Sequence, residues 1–232
     1  MRLHNSIGLK GGLVDVLGFK MRLDPRECVD AQLWFAPHLY DKPEIDFLCQ
    51  RFPQTGVFLD VGANIGFWSL RFSQLFPSAR IYAMEPNPST FQVLQENVDV
   101  NNFTNIETLN VGVSEDFGEL PLYCNDTGNR GGDSFVLGAG HRKRTVIVTV
   151  KPLYAIIADS DIKSIDLLKM DIEGFEEKVI NRLFLEVPHN LWPRLICVEI
   201  SHVPSVMELL ESVGYRLVLK ARENRIYELD QV

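Results

Sequence analysis

The chain has 232 residues, of which 46% are hydrophobic and 23% charged, as is ordinary for one globular domain with or without a small extension. Its 31 acidic residues outnumber its 23 lysines and arginines, so the net charge is −8. This balance argues against a nucleic acid or an anionic membrane as partner, because both favour a basic protein surface.

The cysteines and the first residues bear on the compartment. The four cysteines are scattered and form no Cys-x-x-Cys pair, which is typical of thiols kept in a reducing environment. Residues 1–20 contain a short apolar segment interrupted by Asp15, which matches neither a signal peptide nor a transmembrane segment. We therefore expect a cytoplasmic protein without a membrane partner.

Short apolar runs alternate with amphipathic stretches through most of the chain. The apolar runs predict strands, and they are VFLDVG (57–62), IYAMEP (81–86), IETLNVGVS (106–114), IDLLKMDIEG (165–174) and LICVEIS (195–201). Apolar residues at helical spacing lie between several of them, and Asn87-Pro88 is a typical helix start. This alternation predicts an α/β fold with a doubly wound, mostly parallel sheet and helices on both faces.

Three regions depart from the alternation. Residues 215–220 and 225–229 flank a short turn and predict a C-terminal antiparallel hairpin. Residues 118–157 contain two strand-like runs around a Gly-rich loop, which we interpret as a small β insertion. Residues 1–50 are expected to form an N-terminal extension that packs on the core, and residues 51–232 to form the main domain.

The first of these strands ends in a glycine turn, LDVGANIGF, that predicts a ligand site. A P-loop needs GxxxxGK[ST], but Phe67 follows the second glycine. A nicotinamide site needs GxGxxG, and Asn64 stands where the middle glycine would approach a pyrophosphate.

S-adenosylmethionine has no phosphate and suits the turn better. Gly62 and Gly66 allow close approach of that ligand. Asp60 supplies a carboxylate near its cationic end, and Asn64 offers an amide to its amino-acid tail.

The second strand supplies the next expected cofactor contact. An acid about 20 residues beyond such a turn typically binds the ribose hydroxyls of a nucleoside cofactor. Glu85 ends the second strand at that spacing. The order of strand, glycine turn, helix, strand and acid therefore predicts that Glu85 binds ribose.

Three motifs together resemble the FkbM-type family of S-adenosylmethionine-dependent methyltransferases: FLDVGANIG, AMEPNP and LLKMDIEGFE. The resemblance covers roughly residues 38–220. It implies a Rossmann-like class I methyltransferase fold, with a seven-stranded sheet that ends in the antiparallel hairpin. It also implies methylation of a hydroxyl group on a sugar or secondary-metabolite acceptor, although some members methylate nitrogen.

One departure from the usual methyltransferase pattern concerns adenine. The third strand ends in Asn110-Val111-Gly112, without the acid that many methyltransferases aim at the adenine amine. We therefore expect Val111 to contribute to adenine binding through its backbone and packing.

Candidate catalytic residues follow the fourth and fifth strands, where ligands of parallel sheets bind. We predict Asp171 as the base that removes the hydroxyl proton, with His202 as the second candidate and Glu173 beside them. Alternatively, Asp171, Glu173 and Glu199 hold a divalent cation. Metal-free catalysis is favoured, because these acids lack a tight ligand pattern.

The acceptor is expected to be a small glycosylated or polyhydroxy molecule, bound between the N-terminal extension and the insertion. Residues 129–134 have the composition of a substrate lid, and the basic run 141–144 is a candidate contact for an anionic acceptor. Three alternatives stay open. They are N-methylation of an amide or amine, a nicotinamide-dependent sugar-modifying oxidoreductase, and a non-catalytic relative with a binding role.

Overall fold

A seven-stranded sheet forms the centre of the protein. The computed structural model describes residues 10–125, 128, 130–136, 144–200 and 205–230. In chain order its strands are β1 (Gly12–Val16), β2 (Phe19–Leu23), β3 (Val57–Val61), β4 (Arg80–Met84), β5 (Ile106–Leu109), β6 (Gly112–Ser114), β7 (Gly118–Cys124), β8 (Arg144–Pro152), β9 (Leu167–Met170), β10 (Leu195–Glu199), β11 (Tyr215–Ala221) and β12 (Asn224–Leu229).

The order of strands across the central sheet is β11-β12-β10-β9-β3-β4-β5. The five strands from β10 to β5 pair in parallel, whereas β12 pairs antiparallel with both β10 and β11. The predicted doubly wound sheet with a C-terminal hairpin is therefore confirmed. Because β3 lies between β9 and β4, the loops that follow these three strands meet at one edge of the sheet.

Seven helices accompany the described strands: α1 (Cys28–Phe35), α2 (Lys42–Cys49), α3 (Phe67–Leu75), α4 (Pro88–Asp99), α5 (Leu153–Asp159), α6 (Glu176–Glu186) and α7 (Ser205–Ser212). As predicted, α4 begins after Asn87, whose side chain accepts a hydrogen bond from the backbone N–H of Ser89. Across the described residues, we find no helix with the length and apolar character needed to cross a membrane.

The helices cover both faces of the sheet because side chains alternate along each strand. Phe58 of β3 belongs to the same buried cluster as Phe72 of α3 and Leu94 of α4. The next residue, Leu59, belongs to a second buried cluster together with Ile180 of α6. Two apolar cores therefore lie on opposite faces of the sheet.

One strand prediction was wrong. Residues 106–114 were expected to form a single strand, but they form β5 in the central sheet and β6 in a separate sheet of order β6-β8-β7. The side chain of Asn110 donates to the backbone carbonyls of Glu85 and Pro86, at 2.8 and 3.1 Å. These bonds tie Asn110 to the loop after β4, and the chain leaves the central sheet there.

The region 118–157 contains the expected hairpin and one further element. Strands β7 and β8 pair antiparallel from Gly118 to Cys124, and β6 pairs in parallel with β8. Helix α5 follows directly, and its Ile156 and Ile157 are buried in the same core cluster as Leu59. The small sheet is thus joined to the main core through α5.

The N-terminal segment packs on the face that carries α3 and α4. Its buried side chains share a cluster with Phe58, and they include Val16, Phe19, Met21, Leu33, Ile45 and Leu48. Asn97 of α4 joins this segment to the glycine turn. Its Oδ1 accepts from the backbone N–H of Arg22 at 2.6 Å, and its Nδ2 donates to the carbonyl of Ile65 at 2.9 Å.

We expect Asn97→Ala to lower the free energy of unfolding by about 1–3 kcal/mol, because the buried carbonyl of Ile65 and the backbone N–H of Arg22 lose their partner. Urea denaturation measures the change. Gln92→Ala is the control on the same helix, since its exposed amide donates to Glu96 at 3.2 Å; a change within about 0.5 kcal/mol is expected there. Equal effects of the two substitutions would contradict the role given to Asn97.

Candidate active site

A cavity of about 270 Å³ lies at the carboxyl ends of β3, β4 and β9. The loops after these strands line it with Gly62, Asn64, Glu85 and Asp171. The N-terminal segment and the insertion supply further walls, with Cys28, Val29, Gln32, Tyr40, Leu122, Arg130, Asp133 and Phe135. The cavity therefore joins the predicted cofactor turn to the predicted catalytic acid.

The glycine turn lies tightly against the end of β9. Gly62, Asn64 and Gly66 have φ angles of 78°, 51° and 91°, in the left-handed region. A Cβ atom on Gly62 would come within 1.9 Å of the carbonyl oxygen of Asp171. Only glycine permits this approach at such a φ angle. Sequence and geometry thus agree on why the first glycine stands here.

Glu85 closes the far side of the turn. Its carboxylate accepts hydrogen bonds from the backbone N–H groups of Asn64 and Asn87, at 3.0 and 2.9 Å. The side chain is buried, and this burial raises the pKa of Glu85 to about 7. Glu85 also lines the cavity, so its carboxylate is within reach of a ligand.

Three predicted cofactor residues do not line the cavity. Asp60 is fully buried and accepts a hydrogen bond from Ser69 Oγ at 2.6 Å. Gly66 packs against Leu94, which a Cβ atom would approach to 2.5 Å. Val111 is buried in the core cluster of Leu59. A direct contact of these three residues with a cofactor stays a prediction.

Lys169 is a site residue that the sequence interpretation did not assign. Its Nζ donates to the carbonyl of Gly62 at 3.0 Å and lies 3.5 Å from Asp171 Oδ2 and 3.8 Å from Asp60 Oδ1. Burial lowers the pKa of Lys169, but the carboxylates of Asp171, Asp60 and Asp41 raise it further, and the net shift is upward. The side chain is therefore an ammonium ion. The sequence signal that could have indicated Lys169 is a charged residue within an apolar strand, two residues before Asp171 and therefore on the same side of the strand.

The other acidic candidates lie beside Asp171. One oxygen each from Asp171, Glu173 and Glu199 lie within 4.8 Å of one another. Such a set could hold a divalent cation, although the Lys169 ammonium already neutralises part of the charge on Asp171. His202 lies outside the described residues, as do residues 129 and 141–143 of the predicted lid and basic run.

The wall opposite the turn combines the N-terminal segment with the insertion. The backbone N–H of Cys28 donates to the carbonyl of Gly128 at 2.7 Å. Arg130 binds Asp30 at 3.2 Å, and its backbone N–H donates to Glu27 Oε2 at 2.9 Å. No local sequence pattern indicates these contacts, which join residues about a hundred positions apart.

Tyr40 is a second lining residue that the sequence interpretation missed. Its ring packs edge-on against Phe67, with centroids 5.1 Å apart. Burial and the nearby Asp41, Asp171 and Asp60 raise the pKa of Tyr40, so its hydroxyl stays protonated and is a hydrogen-bond donor. The phenol is thereby suited to donate to a ligand in the cavity.

The family model described as methyltransferase FkbM domain matches residues 60–217, which is more than half of the chain. The chain belongs to the FkbM methyltransferase family. It is an S-adenosylmethionine-dependent methyltransferase, which sets aside the nicotinamide-dependent alternative. The match spans the glycine turn, Glu85 and Asp171, which all line one cavity.

Curated relatives agree with this family, and a solved structure shares the fold. Methyltransferase sdnD of Sordaria araneosa is 29% identical, over 78% of this chain and 79% of its own length. Hexuronic acid methyltransferase AglP of Haloferax volcanii is 27% identical, over 77% and 73%. The fold resembles precorrin-6y C5,15-methyltransferase of Geobacter metallireducens, with a TM-score of 0.50 at 14% identity, over 81% of this chain and 87% of that one.

The cavity of this FkbM methyltransferase contains groups whose chemistry suits an amino-acid tail, a ribose and an aromatic base. Asn64 Oδ1 is buried and has no hydrogen-bond partner in the described part of the chain. Such an acceptor is costly unless a ligand donates to it, and the ammonium group of an amino-acid tail is a suitable donor. Glu85 could accept the ribose hydroxyls, and the apolar Pro86, Leu122 and Phe135 could face the adenine ring.

We expect Gly62→Ala to abolish binding of S-adenosylhomocysteine. The new Cβ atom would overlap the Asp171 carbonyl, and the left-handed φ angle alone costs about 1–3 kcal/mol for a residue with a side chain. Calorimetric titration measures binding, and thermal melting measures stability. Gly12→Ala is the matched control, because a Cβ atom there meets nothing within 4 Å. Unchanged affinity in Gly62→Ala would contradict the close approach.

Proposed function

We propose that this enzyme methylates a hydroxyl group of a small glycosylated or polyhydroxy acceptor, with Asp171 as the base. The observation that supports it is one cavity in which the Asp171 carboxylate lies beside the glycine turn and Glu85. The net charge of −8 favours such an acceptor over a nucleic acid.

The cofactor is assigned to the turn side of the cavity. In this proposal Glu85 accepts from the ribose, and Asn64 Oδ1 accepts from the ammonium of the methionine tail. Gly62 gives the ligand room at the strand end. Asp60 acts from behind the turn, where it holds Ser69 and faces Lys169. When bound, S-adenosylmethionine supplies an electrophilic methyl group.

The protein's part in the reaction is to position the acceptor and to remove its proton. Asp171 is suited to this because its side chain is 36% exposed and reaches the cavity. Lys169 cannot be the base, since it holds its proton among three carboxylates. A base of this kind contributes about 10²–10⁴-fold to a rate. His202 stays the second candidate for the base, and Glu173 stays a catalytic candidate beside Asp171.

We assign the acceptor to a chemical class, that of sugar-derived polyhydroxy molecules. One relative is named a hexuronic acid methyltransferase, which supports a sugar-derived hydroxyl as the methyl acceptor. The wall formed by Tyr40, Gln32 and Arg130 offers hydroxyl, amide and guanidinium donors, which suit a polyhydroxy molecule.

The affinity for S-adenosylhomocysteine is expected to depend on pH through Glu85. An ionised carboxylate accepts from both ribose hydroxyls, and the pKa of Glu85 is raised to about 7 by burial. Affinity should therefore rise as the pH rises through about 7 and level off above it. Calorimetric titration between pH 6 and pH 8.5 measures this. Glu85→Gln should bind more weakly and lose the rise, and an unchanged profile in that variant would remove Glu85 from the site.

Methyl transfer from labelled S-adenosylmethionine to a panel of glycosides, uronic acids and amines tests the reaction. On the best acceptor, Asp171→Asn should lower kcat by about 10²–10⁴-fold while S-adenosylhomocysteine still binds. EDTA should leave the wild-type rate unchanged. Loss of activity in EDTA, restored by Mg²⁺, would replace base catalysis by a cation held by Asp171, Glu173 and Glu199.

A further inference from the structure

A buried group of charges lies beneath the cavity at the ends of β3 and β9. We call Asp60, Lys169 and Asp171 the charge cluster. Lys169 Nζ lies 3.8 Å from Asp60 Oδ1 and 3.5 Å from Asp171 Oδ2. Two carboxylates lie within 4 Å of one ammonium, so the cluster has one surplus negative charge when both are ionised. Burial raises the pKa of Asp60, whereas the Lys169 ammonium lowers it. Among the described residues no donor forms a hydrogen bond with Asp60 Oδ1, and the nearest positive charge to it is the Lys169 ammonium.

The strand order places this cluster toward the sulfur end of the cofactor. Ribose is assigned to Glu85, at the end of β4. Strands β3 and β9 follow on one side of β4, at about 4.8 Å per strand. In a ligand whose ribose lies over β4 and whose tail meets Asn64, in the turn after β3, the sulfur lies between these two groups, on the β3 side of the ribose. Gly62, Lys169 and Asp171 all line the cavity at that point.

We propose that the charge cluster distinguishes the cationic methyl donor from its neutral product, and that Lys169 sets the strength of this preference. The inference rests on the proposed cofactor site. S-adenosylmethionine and S-adenosylhomocysteine differ by one methyl group and one positive charge. A surplus negative charge in a poorly solvated site therefore acts on the one electrostatic difference between them.

Lys169 is a specificity-determining residue in this account rather than a base. At an alkaline pH that keeps the buried Asp60 ionised, removal of the Lys169 charge leaves two carboxylates uncompensated, which strengthens the attraction for a cation. Removal of the Asp171 charge leaves the cluster neutral, which weakens that attraction. The two changes are therefore expected to shift the preference in opposite directions. A purely structural role would affect cationic and neutral ligands alike.

The test compares three ligands by calorimetric titration at fixed ionic strength. S-adenosylmethionine and sinefungin, whose amine replaces the methylsulfonium, are cationic, and S-adenosylhomocysteine is neutral. Lys169→Gln keeps an amide donor for the Gly62 carbonyl and should shift the affinity ratio toward both cationic ligands by on the order of tenfold. Asp171→Asn should shift it toward S-adenosylhomocysteine by a similar factor.

A second pair of variants covers the case in which Lys169→Gln does not fold. Asp60→Asn alone should shift the ratio toward the neutral ligand, and Asp60→Asn combined with Lys169→Gln should return it toward the wild-type value. Lys178→Gln is the control, since this lysine forms an exposed ion pair with Glu115 at 2.9 Å. Its ratio should equal that of the wild type.

Two results would overturn the inference. Ratios that stay unchanged, or that move in the same direction for Lys169→Gln and Asp171→Asn, would show that the cluster only supports the fold. Failure of all three ligands to bind the wild-type protein would overturn the proposed cofactor site and this inference with it. Loss of all binding thus tests the cofactor site, whereas the ratio of affinities for cationic and neutral ligands tests the charge cluster.

Discussion

The site depends on the contacts that the buried ammonium group of Lys169 makes with Asp60, Asp171 and the Gly62 carbonyl. Burial of an unpaired charge is very unfavourable, so this side chain requires the carboxylates of Asp60 and Asp171 and the carbonyl of Gly62 around it. These partners belong to β3, to the glycine turn and to the loop after β9. The charge thereby joins the cofactor side of the cavity to the catalytic side, through the two central strands of the sheet.

The two halves of the cavity are built by different means. The half assigned to the cofactor follows directly from strand ends and short loops, which the parallel sheet positions. The half assigned to the acceptor requires Tyr40 from the N-terminal segment and Arg130 from the insertion, joined by contacts such as the pair of Arg130 and Asp30. This half therefore depends on contacts between parts of the chain that are far apart in sequence.

Local signals predicted much of the fold and part of the site. The glycine turn and Glu85 were predicted because each follows an apolar strand at a spacing that the chemistry of the ligand requires. The prediction of a single strand over 106–114 was wrong, because Asn110 binds the loop after β4 and the chain leaves the central sheet there. No local sequence pattern indicates this contact. Asp60 is buried beside Ser69 and Lys169, a placement that no local pattern showed, and its contact with a ligand stays a prediction.

The sequence by itself determined the strand and helix alternation, the position of the turn and the identity of the acids at the strand ends. Periodicity and spacing express these features, because they depend on neighbours in the chain. Only the tertiary structure decided that Lys169 lies between Asp60 and Asp171, and that Tyr40 and Arg130 complete the cavity. Such contacts depend on which strands become neighbours and on which segments pack across them, and burial, unlike periodicity, is a property of the whole fold.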